Sequence, residues 1–78
     1  MTGELMPYAT NDKLPPSVRN HLPPPAQDLY REAFNHAWVT YERSARREAI
    51  AHRTAWSAVK RQYHKGPDGQ WQPNLRIA

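Results

Sequence analysis

One apolar stripe in the middle of the chain limits its possible folds more than any other feature. Apolar side chains recur there at alternating steps of three and four residues: Ala26, Leu29, Tyr30, Ala33, Phe34, Ala37, Trp38 and Tyr41. This spacing places them on one face of an α-helix. Polar residues such as Gln27, Arg31 and Glu42 fall on the other face. We therefore predict one long amphipathic helix over Pro25–Arg43.

A second stripe follows Ser44, whose hydroxyl is suited to capping a helix because it can accept a hydrogen bond from a backbone N–H one turn ahead. The stripe consists of Ala45, Ala49, His52, Trp56, Val59 and Tyr63. This second long helix should end near Lys65, because Gly66–Gly69 contains the Gly-Pro pair that commonly follows a helix and predicts a tight turn. Gln70–Gln72 can then fold back and place Trp71 on the helices.

Prolines bound a shorter element before the two long helices. The interval between Pro15 and Pro23 has room for one or two turns, since proline favours the first turn of a helix and cannot continue one. We predict a short helix from Pro16 to His21, with Val18 and Leu22 anchored inward.

The predicted fold is mainly all-α: a short N-terminal helix plus an antiparallel two-helix hairpin, with a short extended or β segment near Met6–Tyr8 and Gln70–Gln72. Packing the two stripes together is the simplest way to bury both. The predicted core aromatics are Phe34, Trp38, Tyr41, Trp56 and Tyr63. We expect residues 1–13 to be a flexible or extended segment, residues 14–72 a single helical domain, and residues 73–78 a frayed tail.

Length and composition narrow the class of protein. A chain of 78 residues allows one small domain with a thin core. It contains no cysteine, which excludes disulfides and thiolate metal sites and favours a cytoplasmic protein. No apolar run approaches the roughly 20 residues that span a bilayer, so we expect no transmembrane segment.

Several segments resemble one known family. Ser17–Pro23 reads S-V-R-N-H-L-P and Glu32–Trp38 reads E-A-F-N-H-A-W. With Met6–Tyr8, Ala58–Lys60 and the later Trp71, they are similar in order and content to the ChaB family. These are small bacterial proteins described as cation transport regulators, with relatives in insect viruses.

The resemblance implies a fold of mainly three helices with a little extended structure. It implies either regulation of a cation/proton antiporter or, from the viral relatives, nucleic-acid binding, and it supplies no catalytic residues. This chain departs from the family pattern at Arg43–Arg47, where a shorter, basic join replaces an acidic stretch. That departure weakens the expectation that an acidic, cation-sensing loop is present, and it favours an anion-binding surface.

Positive charge is concentrated between the join and the end of the second long helix. Seven basic residues there face one acid, Glu48: Arg43, Arg46, Arg47, Arg53, Lys60, Arg61 and Lys65. Arg46, Arg53 and Lys60 are seven residues apart and so share one line of a helix, with Arg47 and Arg61 on an adjacent line. Such a row can follow the phosphates of a nucleic acid. A simply solvated helix face is the alternative interpretation.

Other chemistry is not indicated. The four histidines, His21, His36, His52 and His64, have neither i,i+4 spacing nor a neighbouring cysteine, so we predict no metal site. His52 should be a hydrogen-bonded core or boundary residue, and His21 should bind backbone groups. No catalytic constellation or phosphate-binding glycine loop is present in the sequence, so we predict no cofactor and no enzyme.

The function predicted from the sequence is therefore a small, non-enzymatic binding or regulatory protein. Its basic helix would contact an anionic partner, either nucleic acid or an acidic protein surface. One alternative is a regulator that contacts a cation antiporter at the cytoplasmic membrane. Another is a structural or assembly protein, and the oligomeric state stays open.

Overall fold

The structure, a computed structural model, describes residues 7–74. A 3-10 helix at Asn11–Lys13 precedes three α-helices, and a β-hairpin follows them. The elements are α1 (Pro16–Arg19), α2 (Pro24–Thr40), α3 (Arg47–Lys60), β1 (Tyr63–Lys65) and β2 (Trp71–Pro73). This confirms the mainly helical fold with a short β segment. The predictions for residues 1–6 and 75–78 lie outside the described part of the chain.

Helix α2 begins with two prolines, Pro24 and Pro25. Proline suits these positions because the first N–H groups of a helix have no intrahelical partner. The helix ends at Thr40 rather than Arg43, and Tyr41 leaves it with φ −106° and ψ 34°. The prediction of Tyr41 as a core aromatic is therefore wrong: beyond the last turn its side chain turns outward and is 45% exposed.

Helix α3 differs from the prediction at both ends. It begins at Arg47, and the Ser44 hydroxyl accepts the Arg46 N–H at 3.0 Å within the preceding turn instead of capping the helix. It ends at Lys60, five residues before Lys65, because the chain next enters β1. There the backbone groups of Tyr63–Lys65 pair with a second strand instead of continuing a helix.

The hairpin is antiparallel, and Lys65 lies opposite Trp71 in its register. The predicted fold-back at Gln70–Gln72 is present, shifted by one residue. In the loop, the Gly66 N–H donates to the Gln70 carbonyl at 2.7 Å. Gly69 has φ +86°, a left-handed conformation that favours glycine.

The contacts between α2 and α3 show that the two helices are antiparallel. Tyr30, early in α2, contacts Trp56 late in α3, whereas Phe34 contacts His52 one turn earlier. The fully buried residues of α3 that face α2 include Ala51 and Ala55, whose small side chains allow close approach. The buried apolar side chains are Leu14, Val18, Leu22, Ala26, Tyr30, Phe34, Ala37, Ala51, Ala55 and Val59.

Short elements pack at one end of this helix pair, where α2 begins and α3 ends. Helix α1 stops at Arg19, two residues before the predicted His21, yet Val18 and Leu22 are buried as predicted. Trp71 of the hairpin packs on Trp56, with ring centroids 5.3 Å apart. The aromatics Trp38, Trp56 and Tyr63 are half-buried at the edges of the core.

Candidate anion-binding surface

Three of the predicted basic residues lie along the outer side of α3. Arg46 immediately precedes the helix, Arg53 is in its middle and Lys60 is its last residue. All three are exposed. At about 100° per residue their directions fall within roughly 40° of one another, on the side away from Ala51, Ala55 and Val59. We call these three residues the basic line; it extends about 21 Å along the helix.

Within residues 7–74, no carboxylate pairs with the basic line. The ion pairs there are Arg31 with Asp28, at 3.6 Å, and His52 with Glu48, at 3.8 Å. Neither pair involves Arg46, Arg53 or Lys60. The positive charges of the basic line are therefore not neutralised by the part of the chain that the structure describes.

Arg47 has a different environment from the basic line. Its Nε donates a hydrogen bond to the Trp38 carbonyl at 2.7 Å, and its guanidinium lies 3.9 Å above the centre of the Trp38 ring. This cation–π contact and hydrogen bond join the start of α3 to the end of α2. The guanidinium is thus engaged within the fold, so we leave Arg47 out of the candidate surface.

The remaining predicted cations are exposed but dispersed. Arg43 lies in the turn between α2 and α3, Arg61 caps the C-terminus of α3, and Lys65 is the last residue of β1. The structure therefore places Arg43 and Lys65 near opposite ends of α3. The seven cations form one line with outlying members instead of a single continuous patch.

One groove was not predicted from the sequence. It has a volume of about 390 Å³ and lies where α1, α3 and the hairpin meet. Six side chains from segments distant in the sequence line it: Ser17, His21, Trp56, Lys60, Lys65 and Trp71. We call it the terminal groove. No local pattern could reveal it, because its walls are brought together only by the folding of the hairpin onto α1.

Two of the histidines, His21 and His52, form hydrogen bonds within the fold. His52 Nδ1 hydrogen-bonds the Tyr30 hydroxyl at 2.5 Å, which confirms His52 as a bonded boundary residue. His21 Nδ1 bonds the Ser17 carbonyl at 2.8 Å, as predicted for a residue that binds backbone. Among residues 7–74, no three histidine or acidic side chains come close enough together to hold a metal ion.

Burial dominates the electrostatics of the buried tyrosine. Tyr30 is fully buried, and loss of solvation raises the pKa of its phenol far above the usual value, with a smaller contribution from Tyr8. The phenol thus stays neutral and can serve His52 as a hydrogen-bond partner.

Within residues 7–74, no helix has the length and apolar character needed to cross a membrane.

These features define a class: a small helical-hairpin domain with a basic outer face on its second long helix and a β-hairpin closing one end. The ChaB family model matches residues 14–74. The chain belongs to the ChaB family.

Individual relatives agree with this assignment. Proteins named "Putative cation transport regulator ChaB" from Escherichia coli (strain K12) and Shigella flexneri are each 50% identical over 72 residues, covering 85% of this chain and 95% of the relative. The NMR solution structure of a ChaB protein of the same description is 47% identical and has a TM-score of 0.78. It covers 88% of this chain and 100% of its own.

Proposed function

We propose that this protein is a non-enzymatic regulatory module that binds an anionic partner through the basic line of α3. The observation that carries the proposal is the alignment of Arg46, Arg53 and Lys60 on one exposed side of α3, without a carboxylate partner among residues 7–74. Because the opposite face of α3 is packed against α2, this side is the one that a partner can reach.

Nucleic acid is the first candidate partner. A helix face about 21 Å long spans about six nucleotides of one strand of duplex DNA, at 3.4 Å per nucleotide. Three cations at intervals of about 10 Å can reach phosphates over that length. Because the sequence contains no recognised base-reading motif, we expect binding without strong sequence preference.

The test is binding of a random-sequence DNA duplex, followed by gel shift or fluorescence anisotropy at several salt concentrations. Three phosphate contacts predict a slope of about −3 in a plot of log affinity against log salt. The double variant Arg46→Glu with Arg53→Glu should lose binding at least about tenfold and show a shallower slope. If the double charge reversal leaves binding untouched, the proposal is wrong.

A matched control separates the effect of charge on α3 from the effect of the overall net charge on DNA binding. Lys13→Glu changes the net charge by the same amount as Arg53→Glu, and Lys13 is also exposed. It lies in the 3-10 helix that packs against α2 rather than on α3. We expect Arg53→Glu to weaken DNA binding several-fold more than Lys13→Glu. Equal effects would indicate general attraction of a basic protein to DNA.

The name of the relatives favours a second candidate, regulation of a cation antiporter. In that case the basic line would bind acidic loops on the cytoplasmic side of the transporter. Titration of the purified antiporter in detergent with this protein should give saturable binding that Arg46→Glu with Arg53→Glu abolishes. Little binding to DNA under the same conditions would decide for this candidate and against the first.

A further inference from the structure

The terminal groove is held in shape by the backbone around it. The Trp71 N–H donates to the His21 carbonyl at 3.1 Å, and the Gln70 side-chain amide donates to the Asn20 carbonyl at 3.4 Å. These bonds fasten the hairpin to the end of α1. A preformed groove of about 390 Å³ lies within the usual range for small-molecule sites, and binding there costs little ordering of the protein.

The side chains of the groove combine two chemistries. The indoles of Trp56 and Trp71 are half-buried with their centroids 5.3 Å apart, so they offer a firm apolar surface that a ligand can still reach. Lys60 and Lys65 are exposed at the same groove and supply two positive charges. Aromatic faces stack with planar rings, whereas ammonium groups attract phosphate.

A histidine adds a hydrogen-bonding position. Because a carbonyl oxygen can only accept, His21 Nδ1 must donate its proton to the Ser17 carbonyl. In the neutral ring, Nε2 is then the acceptor that remains for a ligand hydroxyl. Ser17, whose side chain is a hydroxyl, also lines the groove. A ligand that carries hydroxyl groups between a flat ring and an anionic group would use all of these positions.

We propose that the terminal groove binds a nucleotide, with the base against the indoles of Trp56 and Trp71 and the phosphate between Lys60 and Lys65. The nucleotide is either a free mononucleotide or an unpaired nucleotide of a single strand. The proposal does not rest on DNA binding by the basic line, because the groove contains neither Arg46 nor Arg53. Lys60 belongs to both surfaces.

Tryptophan fluorescence tests the groove in the intact protein. Two of the three tryptophans line it, whereas Trp38 contacts Arg47 at the far end of α3 and gives a constant background. The probes are AMP, adenosine, ribose 5-phosphate, a single-stranded DNA oligomer and the duplex of the same sequence. We expect AMP to quench the fluorescence in a saturable way, adenosine to bind more weakly, and ribose 5-phosphate to cause no quenching.

Variants assign the quenching to the groove. Lys60→Ala with Lys65→Ala should weaken AMP binding about tenfold, since two charged contacts to phosphate are lost. Arg46→Glu with Arg53→Glu should leave AMP binding unchanged, so the groove and the basic line can fail separately. Lys13→Ala with Arg43→Ala removes the same amount of charge from exposed positions outside the groove and should also have no effect.

Comparing the single-stranded DNA oligomer with AMP distinguishes the two sources of the nucleotide. Quenching by the single strand at far lower concentration than by AMP would assign the groove to an unpaired nucleotide, and comparable or stronger binding of AMP would assign it to a free nucleotide. The proposal is overturned if neither AMP nor the single strand quenches, if the duplex quenches as well as the single strand, or if the lysine double variant binds AMP as the parent does.

Discussion

Tyr30 is the largest side chain that the core buries completely. A buried phenol needs a hydrogen-bond partner, because leaving its hydroxyl unpaired costs about 1–3 kcal/mol. His52 on α3 provides that partner, and Phe34 and Trp56 surround the ring. One residue thus joins the two long helices by packing and by a polar contact.

The environment of Tyr30 predicts how stability depends on pH. Burial raises the pKa of Tyr30 above its ordinary value, and burial raises that of Tyr8 in the same direction. The folded protein therefore holds these protons more tightly than the unfolded chain, whose tyrosines titrate at about pH 10. The free energy of unfolding should be constant with respect to these groups below that pH and fall above it, by up to about 1.4 kcal/mol per pH unit for Tyr30.

Tyr30→Phe isolates this effect. The variant should lose about 1 kcal/mol at neutral pH, because His52 loses its partner. It should also lose less stability than the parent between about pH 9 and about pH 11, since the buried acid is gone. Urea unfolding at several pH values measures both. Tyr41→Phe, at an exposed tyrosine, is the control and should follow the parent; identical pH curves for parent and Tyr30→Phe would contradict the prediction.

At the level of secondary structure, the sequence predicted the existence of the elements better than their ends. The first predicted stripe has eight members, and α2, which ends at Thr40, contains all of them except Tyr41. The second stripe ended at Tyr63, but the spacing from Trp56 to Val59 to Tyr63 does not reveal that the last of these belongs to a strand. Only pairing with Trp71–Pro73 decides this, and helical spacing carries no information about that pairing.

The candidate site was also predictable only in part, because helical spacing carries local information and not contacts between elements. The spacing by seven residues placed Arg46, Arg53 and Lys60 on one side of a helix, because helical geometry is local. Contacts between separate elements determine the rest. They bind the Arg47 guanidinium to Trp38 and bring the walls of the terminal groove together. No periodicity in the chain carries that information.

The hairpin loop offers a test of an element that the sequence marked correctly as a turn. Gly69 adopts φ +86°, a backbone conformation that is strained for any residue with a side chain. A Cβ atom added there would have no neighbouring atom within 4 Å, so the cost of a substitution is not steric. Gly69→Ala should therefore destabilise the protein by about 1–2 kcal/mol through conformation alone. Gly69→Asn should cost less, since asparagine tolerates left-handed backbone. Thermal unfolding ranks the three proteins; an alanine variant as stable as the parent would show that the loop adopts another conformation.

For the molecule as a whole, contacts made before residue 14 bear on where the folded unit begins. The family match starts at residue 14, and the division into residues 1–13, 14–72 and 73–78 stays a prediction. Tyr8 nevertheless packs on Phe34, with ring centroids 4.8 Å apart, and Arg31 Nε donates to the Asn11 side chain at 2.7 Å. These contacts favour including residues 8–13 in the folded domain.

Asn35 carries the strongest part of this argument. Its buried amide donates to the Tyr8 carbonyl at 2.8 Å and accepts the Tyr8 N–H at 3.2 Å, so it holds an extended segment as a partner strand would. Asn35→Ala removes both bonds and should cost about 1–3 kcal/mol. Cleavage near Tyr8 by a protease should become faster, and the Tyr8 amide should exchange its hydrogen sooner.

Asn20→Ala, at an exposed asparagine, is the control. If Asn35→Ala lowers global stability without faster cleavage or exchange at Tyr8, the segment is held by its aromatic contact with Phe34. If neither changes, it is not part of the folded unit.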